Sequence, residues 1–119
     1  MRRIIYLSGP ITGDDDYQRK FIDAADQLLE IDPNLIIVDP ATMFQLRDDI
    51  DLSGNDYRRI LEIDKQILSG CDAICLLPGW ETSKGCREEV EQAIVEALDI
   101  FIYNDPELLP KLRAALSEP

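Results

Sequence analysis

Two acidic residues stand where helical spacing turns them inward. Over Asn55 to Ser69 the apolar positions Tyr57, Ile60, Leu61, Ile67 and Leu68 form one stripe, and Asp64 falls in its middle. An aspartate on an inner face is costly to bury unless it is hydrogen-bonded or serves a site. The second residue is Glu89, in a helix whose stripe reads Val90, Ala93, Ile94, Ala97 and Leu98. At about 100° per residue, Glu88 points away from that stripe, whereas Glu89 lies only about 40° from Ala93, at the border of the core. A carboxylate there is positioned rather than merely soluble. Plainer readings stand beside both: Asp64 ties down a loop by accepting backbone N–H groups, and Glu89 complements the helix dipole in the first turns.

The elements that must position these residues follow from the pattern. Asp72-Ala73-Ile74-Cys75-Leu76-Leu77 is a continuous apolar run, the mark of a strand buried on both faces. Pro78-Gly79 stops it, a loop carrying Trp80, Thr82 and Ser83 follows, and a helix opens around Ser83 to Gly85. Arg3 to Leu7 is a first strand, ended by Ser8-Gly9-Pro10-Ile11-Thr12-Gly13, a loop able to offer backbone N–H groups to a phosphate or sugar oxygen. It matches neither the Walker A pattern nor the dinucleotide fingerprint. Asp14, Asp15 and Asp16 suit a helix start, one as cap and the others on its dipole. Tyr17, Phe21, Ala24, Ala25, Leu28 and Leu29 mark the core face of that helix.

Asp32-Pro33-Asn34 is a turn and Leu35 to Val38 a second buried strand. Ala41 to Gly54 is the least regular part, with Met43, Phe44 and Leu46 able to form a short helical turn; it is either a binding loop or a solvated connection. Asp99 to Tyr103 reads as a fourth strand. Asn104-Asp105-Pro106 supplies a cap and a first-turn proline, and Leu108, Leu109, Leu112, Ala115 and Leu116 mark a closing helix. The order β-α-β-α-β-α-β-α predicts a single α/β domain over residues 1–119, a flavodoxin- or Rossmann-like three-layer α/β/α sandwich on a four- to five-stranded parallel sheet. Glycine loop, Asp64 and Glu89 then converge on the carboxyl ends of strands one and three, where open α/β sheets bind ligands.

Composition narrows the partners. A net charge of −12 with no histidine argues against nucleic acid or an anionic membrane surface. No stretch reaches the roughly 18 apolar residues of a membrane span, and Met1-Arg2-Arg3 leads into a strand rather than a signal peptide, so the expected compartment is cytoplasmic. Cys71, Cys75 and Cys86 lack zinc-site spacing and read as small buried thiols in a reducing environment, Cys86 being the one near the site. No metal is called for. Arg19, Lys20, Lys84 and Arg87 are near enough in sequence to the loops to meet a phosphate, or are ordinary solvated helix ends.

Taken together, Tyr6-Leu7-Ser8-Gly9-Pro10-Ile11-Thr12-Gly13, the Asp64…Cys71-Asp72 segment and Leu77-Pro78-Gly79-Trp80-Glu81-x-Ser83-x-Gly85-x-x-x-Glu89-x-x-x-Ala93 resemble the nucleoside 2-deoxyribosyltransferase superfamily. The likeness is to its small bacterial and phage branch, which is similar also to the deoxynucleoside 5′-monophosphate N-glycosidases, and it covers nearly the whole chain. The resemblance implies Glu89 as nucleophile on the anomeric carbon, Asp64 as the acid that protonates the departing base, and Tyr6 as the residue that orients the nucleophile. It further implies that Ser8, Gly9, Pro10, Gly13, Trp80, Ser83 and Gly85 line the substrate. Such a displacement in two steps through a carboxylate ester is the retaining-glycosidase strategy. Two positions depart from the transferases: Glu91 stands where they carry a small residue, and Ser83 is nearer the monophosphate glycosidases.

The expected function is therefore cleavage or transfer at the N-glycosidic bond of a nucleoside or nucleoside 5′-monophosphate, without cofactor, by a homo-oligomer. Two rivals remain open on the sequence: a module that binds or senses a nucleotide without cleaving it, and a glycohydrolase acting on NAD.

Overall fold

The computed structural model describes residues 3–11, 13–43 and 55–116. Four strands, β1 (Ile4–Ser8), β2 (Ile36–Val38), β3 (Ala73–Leu76) and β4 (Asp99–Ile102), form one sheet. Every pairing is parallel and the order is β2-β1-β3-β4. Among the described residues the sheet has four strands, within the four to five expected. Parallel neighbours need a crossover, and the helices supply it. These are α1 (Tyr17–Ile31), the single turn α2 (Pro40–Met43), α3 (Asn55–Ser69), α4 (Lys84–Val95) and α5 (Leu108–Leu116), with a 3₁₀ turn at Trp80–Thr82. The order reverses between β1 and β3: one connection leaves β1 for β2, the next carries the chain back past it to β3. That reversal opens the crevice at the strands' carboxyl ends.

The two faces of the sheet bury separate apolar layers. Ile5, Leu7, Ala73, Cys75 and Phe101 pack with Phe21, Ala24 and Leu28 of α1 and with Leu108 and Leu112 of α5. Tyr6, Ile74 and Leu76 face the other way and pack with Leu68 of α3 and Ala93 of α4. The alternation of β1 thus places Tyr6 and Ser8 on the α3/α4 side. At about 25 cal/mol per Å² of apolar area removed from water, these two layers are the main favourable term of the fold.

Several details differ from the sequence expectation for clear reasons. Strand β2 is an edge, so Ile36 is 41% exposed and Ile37 and Val38 are half-buried rather than enclosed. On the opposite edge, Ile100 and Ile102 are likewise open. Leu29 of α1 and Leu109 of α5 are also exposed, at the rim of their stripes. At the start of α1, Asp16 makes no capping bond to the helix; Asp14, two residues earlier, accepts from the Asp16 N–H instead and closes a turn there. Asp105 accepts from the Glu107 N–H, and α5 begins at Leu108, so Pro106 precedes the first helical residue rather than occupying it. Asp39 caps α2 through the Ala41 N–H. Phe44 and Leu46 lie outside the described residues.

The largest revision concerns α4. Of its expected stripe, Ala93 is buried and Val90 and Leu98 pack against the same layer, but Ile94 is 62% exposed, Ala97 is exposed and the helix ends at Val95. Leu98 N–H bonds to the Ala93 carbonyl and Ala97 N–H to that of Ile94, with Ala97 at φ 58°. This is a Schellman stop, with alanine where glycine is the usual residue. The face that turns inward is Gly85, Cys86, Glu89 and Ala93. Glu89 is therefore not at the border of the buried face but in its middle.

Candidate active site

Glu89 is 6% exposed, in the second turn of a helix that Ser83 caps by accepting the Cys86 N–H at 3.3 Å. A buried carboxylate demands donors, and β1 provides them. The Tyr6 hydroxyl donates to Glu89 Oε2, and the Ser8 hydroxyl donates to Oε1 at 2.8 Å. Tyr6 and Ser8 are two apart on one strand, the spacing that puts both side chains on the same face. Burial pushes the Glu89 carboxyl up to about 7; the two donors pull it down, and the nearby carboxyl of Asp64 adds to the rise. Burial and the facing Glu89 likewise raise the Tyr6 phenol, which keeps it a donor.

Asp64 comes from α3, on a buried stripe of Leu61, Asp64 and Leu68, with Tyr57, Ile60 and Ile67 half-buried beside it. It is 7% exposed, and its Oδ1 is enclosed with no hydrogen-bond partner among the described residues. The reading in which Asp64 ties down a loop has no support in the bonds of that atom. Burial alone raises this carboxyl to about 7. Two acids that hold or release a proton near neutrality thus stand together under the carboxyl ends of β1 and β3, and such perturbed groups cluster at functional sites more than elsewhere.

The other residues singled out by sequence divide into two groups. Ser83 and Gly85 stay with the carboxyls, at the first turn of α4. Gly85 has a definite reason to be glycine: a methyl group there would collide with the Tyr57 hydroxyl. Trp80, half-exposed in the 3₁₀ turn, packs at the margin of the Tyr6 and Ile74 layer. Gly9 instead serves packing, since a Cβ there would meet Leu77 at 3.0 Å and Phe21 at 3.2 Å, on the opposite side of the sheet. Pro10 lies against Gly79, whose φ of +90° and 3.1 Å clearance from the proline ring need the missing side chain. Gly13 also has a positive φ, 82°, with open space where a Cβ would stand, so its glycine serves the turn of the loop rather than a close approach.

The cations sort similarly. Arg19 pairs with Asp16 and Asp23, and Lys20 with Asp14 at 2.7 Å, which leaves neither available to a phosphate without breaking a contact. Lys84 and Arg87 are exposed and form no ion pair among the described residues. Arg58, not anticipated from the sequence, bridges α3 to α4 by donating to Glu88 at 3.0 Å. Cys86 is buried beside the acids, and burial raises its thiol above the ordinary range against the opposing pull of Ser8 and Ser83. Cys71 and Cys75 are pushed up to about 11 and about 12 by the same cause.

Sequence reasoning gave Tyr57 to the core stripe and missed its place at the site. The signal lay in its spacing: Tyr57 is seven residues before Asp64, two turns along the same helix face. Among the described residues, no three His, Cys, Asp or Glu side chains group as metal ligands, and no helix is long and apolar enough to cross a membrane.

A parallel sheet of order β2-β1-β3-β4 between helices defines a three-layer α/β protein of flavodoxin-like strand order, with two buried acids at its order reversal. The chain belongs to the family described as "Domain of unknown function (DUF4406)", whose model matches residues 3–102. No curated protein matches it.

Proposed function

We propose that this protein cleaves or transfers at the N-glycosidic bond of a nucleoside or nucleoside 5′-monophosphate, with Glu89 as nucleophile and Asp64 as acid. The observation that carries the reading is the double hold on Glu89: Tyr6 and Ser8 each fix one carboxylate oxygen. A carboxylate so held is desolvated, oriented and still able to ionise near neutral pH, which is what an attacking carboxylate needs. Its oxygen forms a bond to the anomeric carbon as the bond to the base nitrogen breaks. The base leaves with the proton of Asp64, whose raised pKa keeps that proton available. Water or the ring nitrogen of a second base then displaces Glu89, its proton passing to Asp64, so that both carboxyls are regenerated. Hydrolysis and transfer share the first step.

A second reading has its own observation. Both oxygens of Glu89 are already satisfied within the chain, as they would be if the carboxylate served only to hold β1 against α4. On that reading the cleft binds a nucleotide without cleaving it. The deciding experiment is free-base release from a panel of nucleosides, 5′-monophosphates and NAD, with Glu89→Gln as control. Release that disappears in the variant supports the glycosidic reaction; release from NAD alone moves the substrate class. No release by folded protein leaves the binding module.

A further inference from the structure

The Tyr57 hydroxyl occupies a particular place. It lies on Gly85, in van der Waals reach of the α4 backbone one turn before Glu89, and Gly85 is the residue whose missing side chain makes room for it. Gly85 and Glu89 share the inward face of α4; Tyr57 and Asp64 share the inward face of α3. The phenol therefore stands in the cleft between the two helices, on the same side as both acids. It is half-buried, and no group among the described residues accepts from its hydroxyl.

We infer that Tyr57 is a substrate-contacting residue whose hydroxyl donates to a neutral sugar oxygen of the ligand held beside Glu89. The inference rests on reading the site as one that binds a glycosyl unit. Its chemistry follows from the surroundings. Burial, together with Glu89, Cys86, Glu88 and Asp64, keeps the phenol protonated, so its hydroxyl is available as a donor. The same acids make the spot unfavourable for a second anion, so a hydroxyl or ring oxygen fits there and a phosphate does not. The phosphate of a 5′-monophosphate would have to lie elsewhere, toward Lys84 and Arg87.

The test measures binding apart from turnover, by following the fluorescence of Trp80, the sole tryptophan, as nucleosides and 5′-monophosphates are added to the full chain. For the tightest-binding ligand, Tyr57→Phe is expected to weaken Kd about fivefold to tenfold, the loss of one hydrogen bond. The factor should be the same at low and high salt, because no ionic contact is lost, and the melting temperature should be unchanged. Gly85→Ala, which pushes the hydroxyl aside, should give a similar loss. An unaltered Kd in Tyr57→Phe, or a loss that fades with salt, overturns the inference. Binding without base release by the wild-type protein refutes the catalytic reading, while the Tyr57 ratio still decides this one. A wild-type chain that binds no member of the panel overturns both.

Discussion

Tyr6, from the centre of the first strand, donates its hydroxyl to Glu89 of the fourth helix, 83 positions later in the chain. The bond joins the two elements that flank the crevice, and one of its oxygens is the candidate nucleophile. Removing the hydroxyl should therefore act through Glu89. In Tyr6→Phe the carboxylate loses a donor, its pKa climbs further, and less of it is ionised at neutral pH. We expect base release at pH 7 to fall about tenfold for each unit of that rise, with partial recovery toward alkaline pH. A pH–rate profile checks this; a uniform loss at all pH values would point to damage of another kind.

Glu89→Gln keeps the side-chain shape and one acceptor oxygen but cannot form the ester. Turnover should drop by about three orders of magnitude or more, while circular dichroism stays that of the wild type. Asp64→Asn should also be slow, and most severely so with substrates whose base is a poor leaving group, since the proton is what the departing base lacks.

Stability should carry a signature of the buried acids. Glu89 has its carboxyl raised from the ordinary 4.5 to about 7, and Asp64 is raised to about 7 from 3.8. Between those limits the folded state holds protons that the unfolded chain has released, so stability is greatest below pH 4 to 5 on this account and declines as pH rises through 7. For Glu89 the decline amounts to about 3 kcal/mol. Urea denaturation from pH 5 to pH 8 should show the decline in the wild type. It should be flatter in Glu89→Gln, and flatter again with Asp64→Asn added.

Ala97 holds a left-handed conformation, φ 58°, at the helix stop where glycine has no steric cost. Ala97→Gly should raise stability by about 0.5–1 kcal/mol, read as a shift in the denaturation midpoint, with base release unaltered because the residue lies at the far end of α4 from Ser83.

Gly79→Ala should do the reverse. The backbone at φ +90° and the Pro10 ring at 3.1 Å both oppose a side chain, and the substitution should cost about 1–3 kcal/mol. If thermal melts of the variant match the wild type, the contact between the two loops is not a fixed part of the fold.

Much of this was written locally. The alternation of apolar runs and helical stripes determined four strands, the helices between them and the parallel sheet, because burying one face of each element leaves few arrangements. The inward position of Asp64 followed from seven-residue spacing alone, and helical geometry brought Glu89 to within one step of the buried face. Tertiary structure decided the rest. Only the packed sheet reveals that Tyr6 and Ser8 share the two oxygens of Glu89, since residues so far apart in sequence meet through register and crossover rather than local pattern. Only the packing of α4 against the sheet and α3 shows that Glu89 lies on the buried face with Ala93 while Ile94 is left in solvent. Likewise Tyr57 reads as one more core residue until Gly85, on a different helix, is seen to make room for its hydroxyl.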